Sequence, residues 1–123
     1  MLLDRDTARL LGKIAFLGLW QGRFKESDAI FKALEANDPS RIGPLLGQGM
    51  VLAHQGKHEE ATAFFKERAL ALDPEDEHAR VWYALSLLKG GKKADATPLL
   101  KELAATAKAN DVAELARQLL SAG

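Results

Sequence analysis

The sequence predicts an all-α fold made of helix pairs, and three observations indicate it. The chain repeats itself at a spacing of 34 or 35 positions, and the matching residues are Gly22 and Gly56, Phe31 and Phe65, and Pro39 and Pro74. Within each repeat a glycine turn separates two stretches of apolar residues, and Asp-Pro closes the first two repeats. Self-similarity at this period is typical of proteins that stack helix pairs.

Seven helices are expected, and turn chemistry sets most of their bounds. They span residues 7–20, 24–36, 43–53, 58–72, 77–89, a sixth from about 95, and 112–120. Gly22 suits the left-handed conformation that follows a helix. Pro44 is tolerated in the first turn of the third helix, where its missing N–H has no helical partner. The sixth helix is expected to start near Asp95, because Pro98 then falls within its first turn.

The apolar pattern predicts which helix faces are buried. The first helix is apolar nearly all round, so it is covered on two sides or receives a partner. The inward face of the second helix is expected to hold Phe24, Ala29, Phe31 and Leu34. In the third helix Leu45, Gly49 and Leu52 are expected to point inward, and Leu46, Met50 and Ala53 to look the other way. A stripe of Val112, Leu115, Leu119 and Leu120 indicates a closing helix.

Composition excludes several classes of function. Lys and Arg together number 17, as do Asp and Glu, so the formal net charge is zero. This balance argues against nucleic acid as the main partner and against an anionic membrane surface. The absence of cysteine excludes disulfides, thiol catalysis and thiolate metal sites. No apolar run approaches the ~20 residues that span a bilayer. Asp4 and Asp6 before the apolar segment 14–20 do not fit a signal peptide. A cytoplasmic location is therefore expected.

The repeated positions resemble those of the tetratricopeptide repeat (TPR) family. The matching residues are Ala15, Ser27, Phe31 and Pro39 in the first repeat, Gly49, Ala61, Phe65, Ala69 and Pro74 in the second, and Ala84, Ala96, Leu100 and Leu103 in the third. The second repeat carries one extra residue between Phe65 and Ala69. The third lacks a closing proline, and Leu100 replaces the aromatic residue.

The resemblance implies one domain over residues 1–123, a right-handed α-solenoid of three TPR helix pairs. The repeats span approximately 7–39, 42–74 and 77–108, and a capping helix spans 110–121. In this family the first helix of each pair lines a concave groove. Carried over repeat by repeat, the partner-binding groove is expected to contain Phe16, Leu19, Trp20, Leu46, Met50, His54, Val81, Leu85, Leu88 and Lys89.

This groove is mostly apolar, so its expected partner is a protein or peptide with an amphipathic helix or an extended apolar segment. One TPR class grips acidic chaperone tails with a clamp of Lys, Arg and Asn. Here Phe16, Met50 and Leu85 occupy the middle of the groove, so that pattern is not met. The length and groove are similar to those of the small bacterial TPR chaperones of type III secretion, which hold an export substrate.

Other interpretations of the same residues stay open. The groove could be filled by the N-terminal segment or by a second copy of the chain, as in a self-associating scaffold or adaptor with a homodimer. His54 and His58 are four apart, a metal-binding spacing only within one continuous helix, and Gly56 interrupts it. We expect no catalytic residues, no metal and no cofactor, and hence no enzyme.

Overall fold

The computed structural model describes residues 3–122, and that part of the chain is helical with no β-strand. Its helices are α1 (Arg5–Trp20), α2 (Phe24–Asn37), α3 (Gly43–His54), α4, α5 (Glu77–Lys89), α6 (Lys93–Thr106) and α7 (Asn110–Ala122). Helix α4 is continuous but mixed, and its segments are His58–Phe64, a π-helical Phe65–Ala69, and Leu70–Leu72. The all-α prediction and its seven helices are confirmed.

The helices form two compact units, Met1–Gly56 and Lys57–Gly123. In the first unit α1 packs on α2, α2 on α3, and α1 on α3. In the second unit α5 packs on α4, α6 and α7, and α6 packs on α7. The boundary falls between the two helices of the second repeat, and each unit has its own buried residues.

Side-chain caps set the start of α1 and of α5. The Asp4 carboxylate accepts hydrogen bonds from the Thr7 N–H at 2.7 Å and the Thr7 hydroxyl at 3.1 Å. Helix α1 therefore begins at Arg5, two residues before the predicted start, because Asp4 satisfies an N–H that the first turn leaves free. The Asp76 carboxylate accepts from the Ala79 N–H at 2.9 Å at the start of α5.

Glycines make the turn inside each helix pair. Gly22, Gly56 and Gly91 have φ angles of +80°, +80° and +85°. This left-handed conformation costs glycine little and other residues more. The recurrence of glycine at these turns, which helped to reveal the repeat, therefore has a backbone cause.

The small and large residues that repeat inside the helices are buried. The small residues are Ala15, Gly49 and Ala84 on the first helices, and Ser27, Ala61 and Ala96 on the second helices. The large residues are Phe31, Phe65 and Leu100. Small side chains allow two helices to approach closely, and the large ones fill the space beside the crossing.

The extra residue of the second repeat is accommodated inside α4. The buried residues Phe31 and Leu34 are three positions apart, but the buried residues Phe65 and Ala69 are four positions apart. At this point the helix adopts π geometry, and the Leu70 N–H donates to the Phe65 carbonyl five residues earlier. A π turn holds one residue more than an α turn, so both ends of the longer segment stay in the core.

Two local predictions are wrong. Helix α6 begins at Lys93 and not near Asp95, so Pro98 lies in its second turn and cannot donate to the Ala94 carbonyl. The predicted first-turn position would have avoided this loss. In α2, Ala29 was predicted to face inward but is exposed, and Ser27 is buried in its place. The apolar pattern favoured alanine over serine as the buried residue, but the contact with α1 determines which face of α2 is buried.

The Phe31 ring packs against α3 at Gly47, a residue without a side chain. The same ring meets the Phe16 ring edge-on, with centroids 4.8 Å apart at 65°. On the α3 side, a Cβ atom added at Gly47 would overlap three ring carbons of Phe31. Gly47 is therefore required for this approach, even though glycine is a poor residue inside a helix.

Gly47→Ala should destabilise the protein by about 1–2 kcal/mol, because overpacking at Phe31 exceeds the helix-propensity gain of about 1 kcal/mol. Gly12→Ala is the matched control. Its added Cβ would lie 3.9 Å from Leu34 Cδ1, an ordinary contact, so this variant should be slightly stabilised. Urea unfolding of both variants measures the difference, and equal shifts would contradict the close approach.

Ser27→Ala should stabilise the protein by about 1 kcal/mol. The Ser27 hydroxyl is buried and has no hydrogen-bond partner among the described residues, and an unsatisfied buried hydroxyl costs about 1–3 kcal/mol. Ser86 is the control, because it is equally buried but its hydroxyl donates to the Trp82 carbonyl at 2.9 Å. Thermal unfolding should show a gain for Ser27→Ala and none for Ser86→Ala.

Glu77 fixes the loop between α6 and α7 to the first turn of α5. Its carboxylate accepts from the Lys108 N–H at 2.8 Å and the Ala109 N–H at 2.9 Å. These bonds, the one from Lys108 first, lower the pKa of Glu77 below its ordinary value of 4.5. The folded state thus binds the Glu77 proton less readily than the unfolded chain does.

Glu77→Gln should therefore change how stability depends on pH. A carboxylate with a lowered folded pKa stabilises the protein above its unfolded pKa, and this contribution is lost as pH falls through the folded pKa. The wild type should lose more stability than Glu77→Gln as pH falls from near 5 to below the folded pKa. Glu60→Gln removes an exposed carboxylate from the same unit and serves as control. Parallel curves for wild type and Glu77→Gln would contradict this role.

Candidate partner-binding surface

An exposed tryptophan lies at the end of α1. Trp20 is 59% exposed, and its ring meets the His54 ring edge-on, with centroids 5.1 Å apart at 72°. His54 Nδ1 lies 2.8 Å from the Met50 carbonyl. Since a carbonyl only accepts, Nδ1 carries the proton and the ring is fixed against its own helix. Phe16 is half-buried one turn before Trp20. We call Phe16, Trp20 and His54 the tryptophan face.

Three of the residues predicted for the groove are buried in the structure. Leu19 and Val81 are each 1% exposed and Met50 is 8% exposed. Leu19 follows the buried Ala15 by one turn, so it lies on the core side of α1. Val81 is part of the core of the second unit. Met50 lies in the buried segment 47–51, where α3 is covered on more than one side, so it is not accessible as the groove prediction requires.

The remaining predicted residues are partly or fully accessible. Leu46 in the first unit is half-buried. In the second unit Leu85 and Leu88 are half-buried, and Leu88 also packs against the core of that unit. Lys89 is exposed at the end of α5. Half-buried apolar residues can contribute contact area to a partner while remaining packed in the free protein.

The first unit also contains a cavity that the sequence did not reveal. It has a volume of about 180 Å³ and an apolar floor that includes Phe16, Phe31 and Leu34. Its polar lining residues are Arg5, Arg9, Asn37, Asp38 and Arg41. We call it the arginine-rimmed cavity. Phe16 belongs both to this cavity and to the tryptophan face, so the two are continuous along α1.

Asp38 is the one carboxylate among the lining residues, and its oxygen Oδ1 is already engaged. That oxygen accepts from the Ser40 hydroxyl at 2.6 Å and the Ser40 N–H at 3.1 Å. These two bonds, with a smaller contribution from Arg41, lower the pKa of Asp38 below its ordinary value. The lining therefore carries three arginines against one carboxylate.

A second apolar surface follows the outer side of α1. Leu10 and Leu17 are both 58% exposed, and Ile14 between them is also exposed. The spacing of four and three residues places them on one side of the helix, which we call the α1 stripe. The sequence signal for this stripe is the excess of apolar residues in α1, which predicts that the helix is covered on two sides or receives a partner.

His54 and His58 belong to different helices. Helix α3 ends at His54 and α4 begins at His58, and Gly56 turns the chain between them. A spacing of four therefore does not put the two rings on one helix face. Residues 3–122 contain no group of three or more His, Cys, Asp or Glu side chains placed to hold a metal ion. In the same range no helix combines the length and apolar character needed to cross a bilayer.

A family model described as tetratricopeptide repeat matches residues 52–119, more than half of the chain. None of the curated proteins compared with the chain matches it.

Several solved structures share the fold over nearly the whole chain. One is the type III secretion translocator chaperone SycD of Yersinia enterocolitica, solved as an alternative dimer. It is 24% identical to this chain with a TM-score of 0.79, and the match covers 96% of this chain and 89% of the SycD chain. SycD in complex with a peptide of the translocator YopD is 23% identical with a TM-score of 0.77, covering 96% and 90%. A third is PcrH of Pseudomonas aeruginosa, solved in complex with the chaperone binding region of PopD. It is 22% identical to this chain with a TM-score of 0.77, and the match covers 98% of this chain and 92% of the PcrH chain.

Proposed function

Because the chain belongs to the tetratricopeptide repeat family, we propose that it is a non-enzymatic binding module acting as a cytoplasmic chaperone for an export substrate of type III secretion. It binds an amphipathic helix or apolar peptide of that substrate. The contacts proposed in the first unit are the tryptophan face and Leu46. Those in the second unit are Leu85, Leu88 and Lys89.

The observation that carries this proposal is the exposure of Trp20 beside His54. A tryptophan that is more than half exposed at the end of an apolar helix places a large apolar surface in water. Tryptophan is also the residue type most enriched among those that dominate binding energy. Its ring contact with His54 limits its conformations, so less entropy is lost when a partner covers it.

The structural neighbours support the choice of partner. SycD is a translocator chaperone solved with a YopD peptide, and PcrH is solved with the chaperone binding region of PopD. Both share the fold of this chain over most of their length. A corresponding role would have this protein cover apolar surface that the free substrate would otherwise bury by aggregating.

Co-purification from the source cell tests the proposal, with light scattering and mass spectrometry of the eluted complex. We expect one stoichiometric second protein. Trp20→Ala should weaken its binding by about 2 kcal/mol or more, which is roughly a 30-fold increase in Kd. Leu72→Ala is the control, because Leu72 is an exposed apolar residue outside the proposed contacts.

A lone monomer, or equal loss of the partner in both variants, would contradict the chaperone role. A second candidate is a self-associating scaffold, which the exposed α1 stripe favours. A pure homo-oligomer that Leu17→Glu dissociates and Trp20→Ala leaves intact would replace the chaperone proposal with this one.

A further inference from the structure

We propose that the arginine-rimmed cavity of the first unit binds an aliphatic side chain of the partner whose neighbouring residues are acidic. This inference rests on the proposed function and specifies the chemistry of the peptide that it binds. The apolar floor would receive the aliphatic side chain, and Arg5, Arg9 and Arg41 would pair with the flanking carboxylates.

The size and lining of the floor fit one aliphatic side chain. A cavity of about 150 Å³ lined by apolar residues holds a molecule as large as benzene, and this one has about 180 Å³. Phe16, Phe31 and Leu34 supply apolar contact, and Gly12 leaves room above Leu34. A Leu or Ile side chain of a peptide therefore has the required volume.

The rim favours negative charge around that side chain. No carboxylate within 4 Å forms a salt bridge with Arg5, Arg9 or Arg41 in the described part of the chain. Asp38 lies near Arg41 but already accepts two hydrogen bonds from Ser40 on one oxygen. Because the chain as a whole has no net charge, this local excess of arginine is a feature of the cavity. Guanidinium groups bind carboxylates in a bidentate geometry.

The position of the cavity favours a peptide as the occupant. Phe16 lines the cavity and lies one turn from Trp20 on α1. A segment that covers the tryptophan face therefore reaches the cavity without leaving the surface of the first unit. Arg5 and Arg9 are also one turn apart on α1, so they present two charges along the same direction.

A library of short random peptides, selected on the full-length chain, tests this inference. The wild type should enrich peptides with an aliphatic residue flanked by Asp or Glu. The double variant Arg9→Glu/Arg41→Glu should instead enrich flanking Lys or Arg. Each single Arg→Gln variant should raise the Kd of a selected wild-type peptide by about two- to fivefold, the range of one exposed ion pair, and higher salt should reduce this difference. Lys25→Gln removes an exposed cation of α2 outside the cavity and should have no effect.

The outcomes separate the inference from the proposed function. Peptides that need Trp20 for binding but show no acidic preference would overturn the cavity inference and leave the proposed function standing. The same holds if the wild type and the charge-reversed variant enrich the same peptides. If the wild type enriches no peptide, both are overturned. If the cavity binds laurate but the wild type enriches no acidic peptide, the inference is also overturned. If the charge-reversed variant fails to fold by circular dichroism, Arg9→Gln/Arg41→Gln replaces it and should abolish the acidic preference.

Discussion

Phe31 occupies the space between the three helices of the first unit. It belongs to α2, meets Phe16 of α1 edge-on, and lies where α3 has only the hydrogen of Gly47. Interiors are packed so tightly that such a ring leaves no room for a methyl group. The same ring forms part of the floor of the arginine-rimmed cavity, so the packing that holds the unit together also shapes its candidate binding surface.

The sequence predicted the helices well because their signals are local. Glycine at a left-handed turn and Asp-Pro at a helix end act within a few residues, and the structure has both where they were expected. Pro98 is the informative failure. A proline usually indicates a helix start, but the turn at Gly91 makes α6 begin at Lys93. Pro98 therefore lies in the second turn, where one backbone hydrogen bond of the helix is missing.

The surface residues were harder to predict because exposure depends on distant neighbours. Trp20 and Leu19 are adjacent apolar residues in the sequence, yet one is exposed and the other buried. Periodicity gives the faces of a helix but does not say how many of them are covered, which is why Met50 was expected to be accessible and is buried. The arginine-rimmed cavity had no sequence signal, because Arg41 is brought to Arg5 and Arg9 only by the packing of α1, α2 and the start of α3.

The π turn of α4 bears on how the repeats correspond to one another. Insertions are usually sought in loops, where they are tolerated. Here the added residue lies inside a helix, between two core positions that keep their places. When the three repeats are aligned, the gap therefore belongs between Phe65 and Ala69, and the Asp-Pro that follows needs no further shift. Repeat length in this chain can change by one residue without altering the loop that leads to the next helix.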